Sequence, residues 1–110
     1  MADNPSDSSG HRARLRQRLF EGGGKALLDH ELVEYLLTLA IPRRDTKAQA
    51  KAMIARFGGI GPLLEAGPEV LRKEGLSEGV IGALSIARAT ALRLLETRVE
   101  ALAEHVHVVA

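Results

Sequence analysis

The chain has 110 residues, enough for one small domain with its own core, and it has no cysteine, which excludes disulfides, zinc–thiolate sites and cysteine nucleophiles. Aromatics make up only 3% and Trp is absent, so the core must be aliphatic, and an Ala- and Leu-rich chain with few β-branched runs predicts an all-α fold. The net charge of +1 hides an asymmetry: residues 11–56 carry ten Lys/Arg against five Asp/Glu, whereas residues 1–10 and 57–110 are each net acidic.

Residues 1–10, rich in Ser, Asp, Asn, Pro and Gly, have the composition of a disordered tail. A first helix is expected over 11–22, with Leu15 and Leu19 on one stripe, and Gly22-Gly23-Gly24 stops it. Asp29 is the N-cap candidate of a second helix, in which Leu32, Val33, Leu36, Leu37 and Leu39 cover a wide arc and predict a central, largely buried element. Ile41-Pro42 ends it, because the residue before proline is pushed out of the α region. A third helix, capped by Asp45, runs from Thr46 to Phe57 and closes at Gly58-Gly59. Two short helices follow at 60–66 and 68–74, the second with Pro68 at its favoured first position. After the turn Gly75-Leu76-Ser77, Ser77 caps a long last helix from Glu78 to about Glu104. His105–Ala110 has strand character and reads as the start of a linker. The expected fold is a compact bundle of five or six helices over 11–104. No run approaches a membrane span and the polar start lacks the apolar stretch of a secretion signal, so no membrane association and a cytoplasmic location are expected.

Few groups could carry catalysis. None of His11, His30, His105 and His107 has a carboxylate partner at a familiar spacing, and no Gly-rich loop ends in Gly-Lys-Ser/Thr. His105-Val-His107 could reach one ion from a strand, but a third ligand is missing, so no metal or other cofactor and no small-molecule substrate is expected. The basic residues are better organised. On a helix, Arg12 and Arg16 flank one side of the Leu15/Leu19 stripe, and Arg14 and Arg18 flank the other. Arg43, Arg44 and Lys47 form a second group with Lys51, at the start of the third helix. Arginine suits phosphate because its planar fork donates two parallel hydrogen bonds and keeps its charge. The turn Gly75-Leu76-Ser77 has the outline of a helix-hairpin-helix, whose backbone N–H groups touch phosphates without reading bases. Gly59-Ile60-Gly61 fits the same turn formula, but Pro62 removes a donor and Glu65 adds a repelling charge, so it reads as a plain connection. Leu92, Leu95, Val99, Leu102 and Val106 follow 3-4-3-4 spacing, and this seam is expected to pack on the chain's own bundle or on a following domain.

Four segments together carry a family resemblance: His11-Arg-x-Arg-Leu-x-x-Arg18, Leu28-Asp29-x-Glu31-Leu32, Ala40-Ile41-Pro42-Arg43-x-Asp45-Thr46-Lys47 and Arg56-Phe57-Gly58. Over residues 11–98 the sequence resembles the N-terminal domain of RadC-like proteins. The resemblance implies a helix-hairpin-helix-type domain joined to a C-terminal JAMM-like, zinc-dependent hydrolase domain, in a DNA-repair setting. That hydrolase domain, and with it any zinc, lies outside this sequence. Two departures stand out: Ser77 replaces the second hairpin glycine, and Leu19-Phe20 stands where the family more often has Phe first. The expected function is weak, sequence-nonspecific DNA binding without catalysis, with Arg12, Arg14, Arg16, Arg18, Arg43, Arg44 and Lys47 on phosphates and Gly75, Leu76 and Ser77 as the hairpin site. The alternative is an interaction or regulatory module that docks the hydrolase domain or another partner.

Overall fold

A computed structural model describes residues 5–41 and 46–109, with side chains over 10–41 and 46–105. Among the described residues the chain is all α, with six helices: α1 (Pro5–Gly22), α2 (Asp29–Ala40), α3 (Thr46–Phe57), α4 (Ile60–Glu65), α5 (Pro68–Lys73) and α6 (Glu78–Val109). A 3₁₀ turn, Gly24–Ala26, joins α1 to α2.

The helix ends follow local chemistry. Gly22-Gly23 stops α1 because Gly23 takes a φ of +72°, which side-chain-bearing residues avoid. Gly58, at φ +90°, closes α3, and its N–H donates to the Ile54 carbonyl at 2.8 Å. Pro68 opens α5 at a position where its missing N–H costs nothing. Ser77 caps α6, its Oγ accepting from the Val80 N–H at 3.3 Å.

Three boundaries differ from the sequence reading. α1 begins at Pro5, within the stretch whose polar composition suggested disorder; proline's fixed φ suits a first helical turn, which composition alone does not register. Asp29 is the first residue of α2 rather than its cap. Leu28 holds the cap position and its N–H is satisfied by the Glu31 carboxylate at 2.9 Å, while Asp29 Oδ2 accepts from the Ile60 N–H at the start of α4, 3.3 Å away. The strand character of His105–Ala110 is overruled as far as Val109, because α6 continues through it. Asp45, the expected cap of α3, lies outside the described residues.

The core is built by α2, α3 and the short helices against the first turns of α6. Val33 and Leu37 of α2 meet Ala50 and Met53 of α3, Leu63 of α4, Leu71 of α5, and Val80, Ile81 and Leu84 of α6. Leu36 packs against this cluster half-buried, and Leu32 is also half-buried. Leu39 is 72% exposed, contrary to the expectation of an α2 covered on most sides. It lies four residues after Tyr35, on the flank turned away from Val33 and Leu37. α6 spans 32 residues, about 48 Å, against extents for the whole molecule of 65 × 36 × 21 Å. As far as His105 its apolar seam does not fold back onto the bundle: from Arg88 to His105 every residue is exposed.

Candidate nucleic-acid interface

The candidate surface is α1, held on α2 through its Leu15 stripe. Leu15 is fully buried and His11 and Leu19 are half-buried, which leaves the arginines at the edges of the packed face, as helical spacing requires. Three polar contacts fix α1 on α2. At its upstream end His11 Nε2 lies 2.6 Å from Glu34 Oε2. In the middle Arg16 Nη1 reaches the Tyr35 hydroxyl at 3.4 Å. Downstream, Arg18 grips both oxygens of Glu31 at 2.9 Å and donates to the Ala26 carbonyl at 2.7 Å.

Arg18 is thus a brace between α1, the 3₁₀ turn and α2. Its guanidinium and the Leu28 N–H together hold the Glu31 carboxyl down at about 2, and the same bond raises the guanidinium above its ordinary value. Arg14 and Arg16 are exposed, Arg12 is half-buried, and among the described residues none of the three has a carboxylate partner. Lys47 is exposed on the first turn of α3. Arg43 and Arg44 lie outside the described residues.

The hairpin is organised differently from a phosphate cradle. Gly75 takes φ +85°, its N–H donates to the Arg72 carbonyl at 2.9 Å, and the Leu76 N–H returns to the Leu71 carbonyl at 3.3 Å. This is a Schellman closure of α5, completed by Leu76 packing half-buried against the core. Both N–H groups are therefore occupied within the fold. The Ser77 hydroxyl is engaged in capping α6. The flanking acids are neutralised: Glu74 pairs with Arg56 at 2.8 and 2.9 Å, and Glu78 with Arg72 at 2.8 and 3.1 Å, which lowers the Glu78 pKa.

Sequence reading missed the His11–Glu34 pair, 23 positions apart along the chain. Glu34 is only 3% exposed, and its Oε1 has no hydrogen-bond partner among the described residues. Its carbonyl accepts from the buried Thr46 hydroxyl at 3.0 Å, which ties the start of α3 to α2. The available signal was position: Glu34 follows Val33 and precedes Leu37 by one turn, so it sits on the apolar side of α2. Among the described residues no group of three or more His, Asp or Glu could hold a metal ion. No helix there is long and apolar enough to cross a membrane.

The chain is similar to UPF0758 proteins. It is 42% identical over 96 residues to one from Ruegeria pomeroyi, covering 86% of this chain and 43% of the relative. Over 86 residues it is 41% identical to one from Rhodobacter capsulatus, covering 77% of this chain and 40% of that relative. The chain thus spans less than half the length of the curated relatives it matches. No protein-family profile matches it, and no solved structure does.

Proposed function

We propose that this chain is a non-catalytic nucleic-acid-binding domain that holds DNA phosphates weakly and without regard to sequence. It would form the helical N-terminal part of a RadC-like protein, with metal-dependent hydrolysis assigned to a separate C-terminal domain. The observation that carries the reading is a division among the arginines of the bundle. Arg18, Arg56, Arg72 and Arg88 each face a glutamate, whereas Arg12, Arg14 and Arg16 stand on one braced helix and face none among the described residues. Guanidinium groups that face no carboxylate, on a fixed helix, can donate to successive phosphates, and they contact no base edge by doing so. Arg43, Arg44 and Lys47 add a second basic group on sequence grounds alone. The hairpin Gly75-Leu76-Ser77 contributes less, since its first two N–H groups close α5. The UPF0758 relatives, longer than this chain, support the RadC-like placement.

Fluorescence anisotropy with two unrelated duplexes, each at several salt concentrations, tests this. Replacing Arg12, Arg14 and Arg16 together with Ala is expected to weaken both duplexes equally. The slope of log affinity against log salt should fall by about 0.9 per lost contact. A triple variant that binds like the parent at low salt overturns the phosphate reading. A second reading, an interaction or regulatory module, is favoured by one specific feature, the uncovered apolar face of α6 beyond Arg88.

A further inference from the structure

Among the described residues Phe20 is the most exposed large apolar side chain, at 77%, whereas the chain's other two aromatics, Tyr35 and Phe57, are half-buried. It ends a row along α1. Arg12, Arg16 and Phe20 follow one another at i+4, each about 40° round the axis from the last. Leu19 takes the half-buried place one turn after Leu15, so the aromatic ring stands beside the arginines rather than in the α1–α2 contact. No guanidinium covers it: among the described residues a cation lies over a ring only at Phe57, where Arg56 is 5.9 Å from the ring centre. Just past Phe20 the chain is bare, and a Cβ added at Gly23 or Gly24 would meet nothing within 4 Å. The surroundings are basic. Residues 10–28 carry Arg12, Arg14, Arg16, Arg18 and Lys25 against Glu21 alone. Glu21 lies about 100° round α1 from Phe20 and accepts from Gln17 at 3.0 Å. On the facing part of α2, Glu31 is held by Arg18, Glu34 lies against His11, and Asp29 accepts from the Ile60 N–H.

We propose that Phe20 is a stacking platform for an unpaired base, so that the α1 surface takes single-stranded nucleic acid in preference to duplex. This rests on the phosphate-binding reading and names the form of its ligand. Arginines alone attract any anion, and an exposed aromatic alone suits any apolar partner. Set in one row, they match a polyanion that carries a π-face on every unit. In a duplex those faces are stacked on one another, and a side chain reaches them only by prising a base step apart. In a single strand the bases can splay out. One strand can then lay a phosphate on Arg16 and a base on Phe20, one turn or about 6 Å further along the helix. Buried Leu15 and the Arg18–Glu31 brace hold α1 on α2, so ring and guanidinium keep their spacing before the strand arrives, which lowers the ordering cost of binding. Stacking touches no base edge, so the surface stays indifferent to sequence.

Anisotropy titrations at low salt with an oligothymidylate, an abasic strand of the same length and a duplex of the same length test this. The parent should bind the oligothymidylate more tightly than either of the others. F20L keeps an apolar side chain without a π-face, and should lose at least about fivefold on the oligothymidylate. Its salt slope should not change, because no phosphate contact is removed, and neither should its binding to the abasic strand. Phe20 is exposed, so the urea midpoint of F20L should match that of the parent. F20W should restore the parental affinity. The chain has no Trp, so F20W also supplies a single fluorophore, which the oligothymidylate should quench and the duplex and abasic strand should not. If F20L binds the oligothymidylate like the parent while the triple arginine variant is weakened, stacking is overturned and the phosphate reading stands. Equal loss by F20L on duplex and single strand makes the ring a wedge between paired bases and overturns the single-strand preference. A triple arginine variant that binds like the parent overturns the phosphate reading, whatever F20L does.

Discussion

Leu37 and Leu39 lie two positions apart on α2 and have opposite surroundings. Leu37 is fully buried in the cluster shared by five helices, whereas Leu39 is 72% exposed. Leu37→Ala should therefore cost about 2–5 kcal/mol in urea unfolding, and Leu39→Ala should stay within about 0.5 kcal/mol of the parent. Equal losses at both positions would mean that the core is misplaced. The identity of the apolar helix was legible in the sequence because its leucines cluster. Which leucine faces outward was not, because Leu32, Leu36 and Leu39 on one flank mimic the spacing of Val33 and Leu37 on the other. Glu34 shows the same blindness in reverse. A glutamate beside Val33 reads as a boundary of the apolar arc until a histidine from another helix is seen to meet it at 2.6 Å.

The helix ends were the most legible elements, because each is decided within a few residues. Gly58, Pro68 and Ser77 mark ends that glycine, proline and serine chemistry anticipates. Gly75 is required by its φ of +85°, and an added Cβ there would meet nothing within 4 Å, so Gly75→Ala should cost about 1–2 kcal/mol through backbone strain alone. Chemical denaturation checks it, with Ser77→Ala, worth about 1 kcal/mol through the lost cap, for comparison. What connects one element to another was not legible. Asp29 has the residue type and position of a cap for α2, yet it serves α4, and Arg18 looked like one rail of a phosphate surface but clamps Glu31. That clamp predicts a pH dependence. Glu31 has its carboxyl depressed from 4.5 to about 2, so the folded state binds its proton less readily than the unfolded state. The resulting stabilisation is fully present above the unfolded value and disappears as pH falls from about 4.5 towards about 2. Urea midpoints of the parent and Glu31→Gln should converge across that window. A gap that stays constant down to pH 2 would assign the loss in the variant to something other than the clamp.

At the scale of the molecule, α6 is one continuous helix with two environments. Its first turns are held by the core through Val80, Ile81 and Leu84, so opening them requires opening the bundle. Among the described residues the arm beyond Arg88 has no such anchor, and a segment of about 20 residues is marginally helical in water without tertiary packing. Hydrogen exchange should divide the helix accordingly. At high dilution the amides of residues 80–87 should exchange slowly, near the rate set by global unfolding, and those of 92–105 should exchange orders of magnitude faster through local fraying. An arm as protected as the root in dilute parent protein would show that the exposed face is already covered within the monomer, and the division drawn at Arg88 would then be wrong.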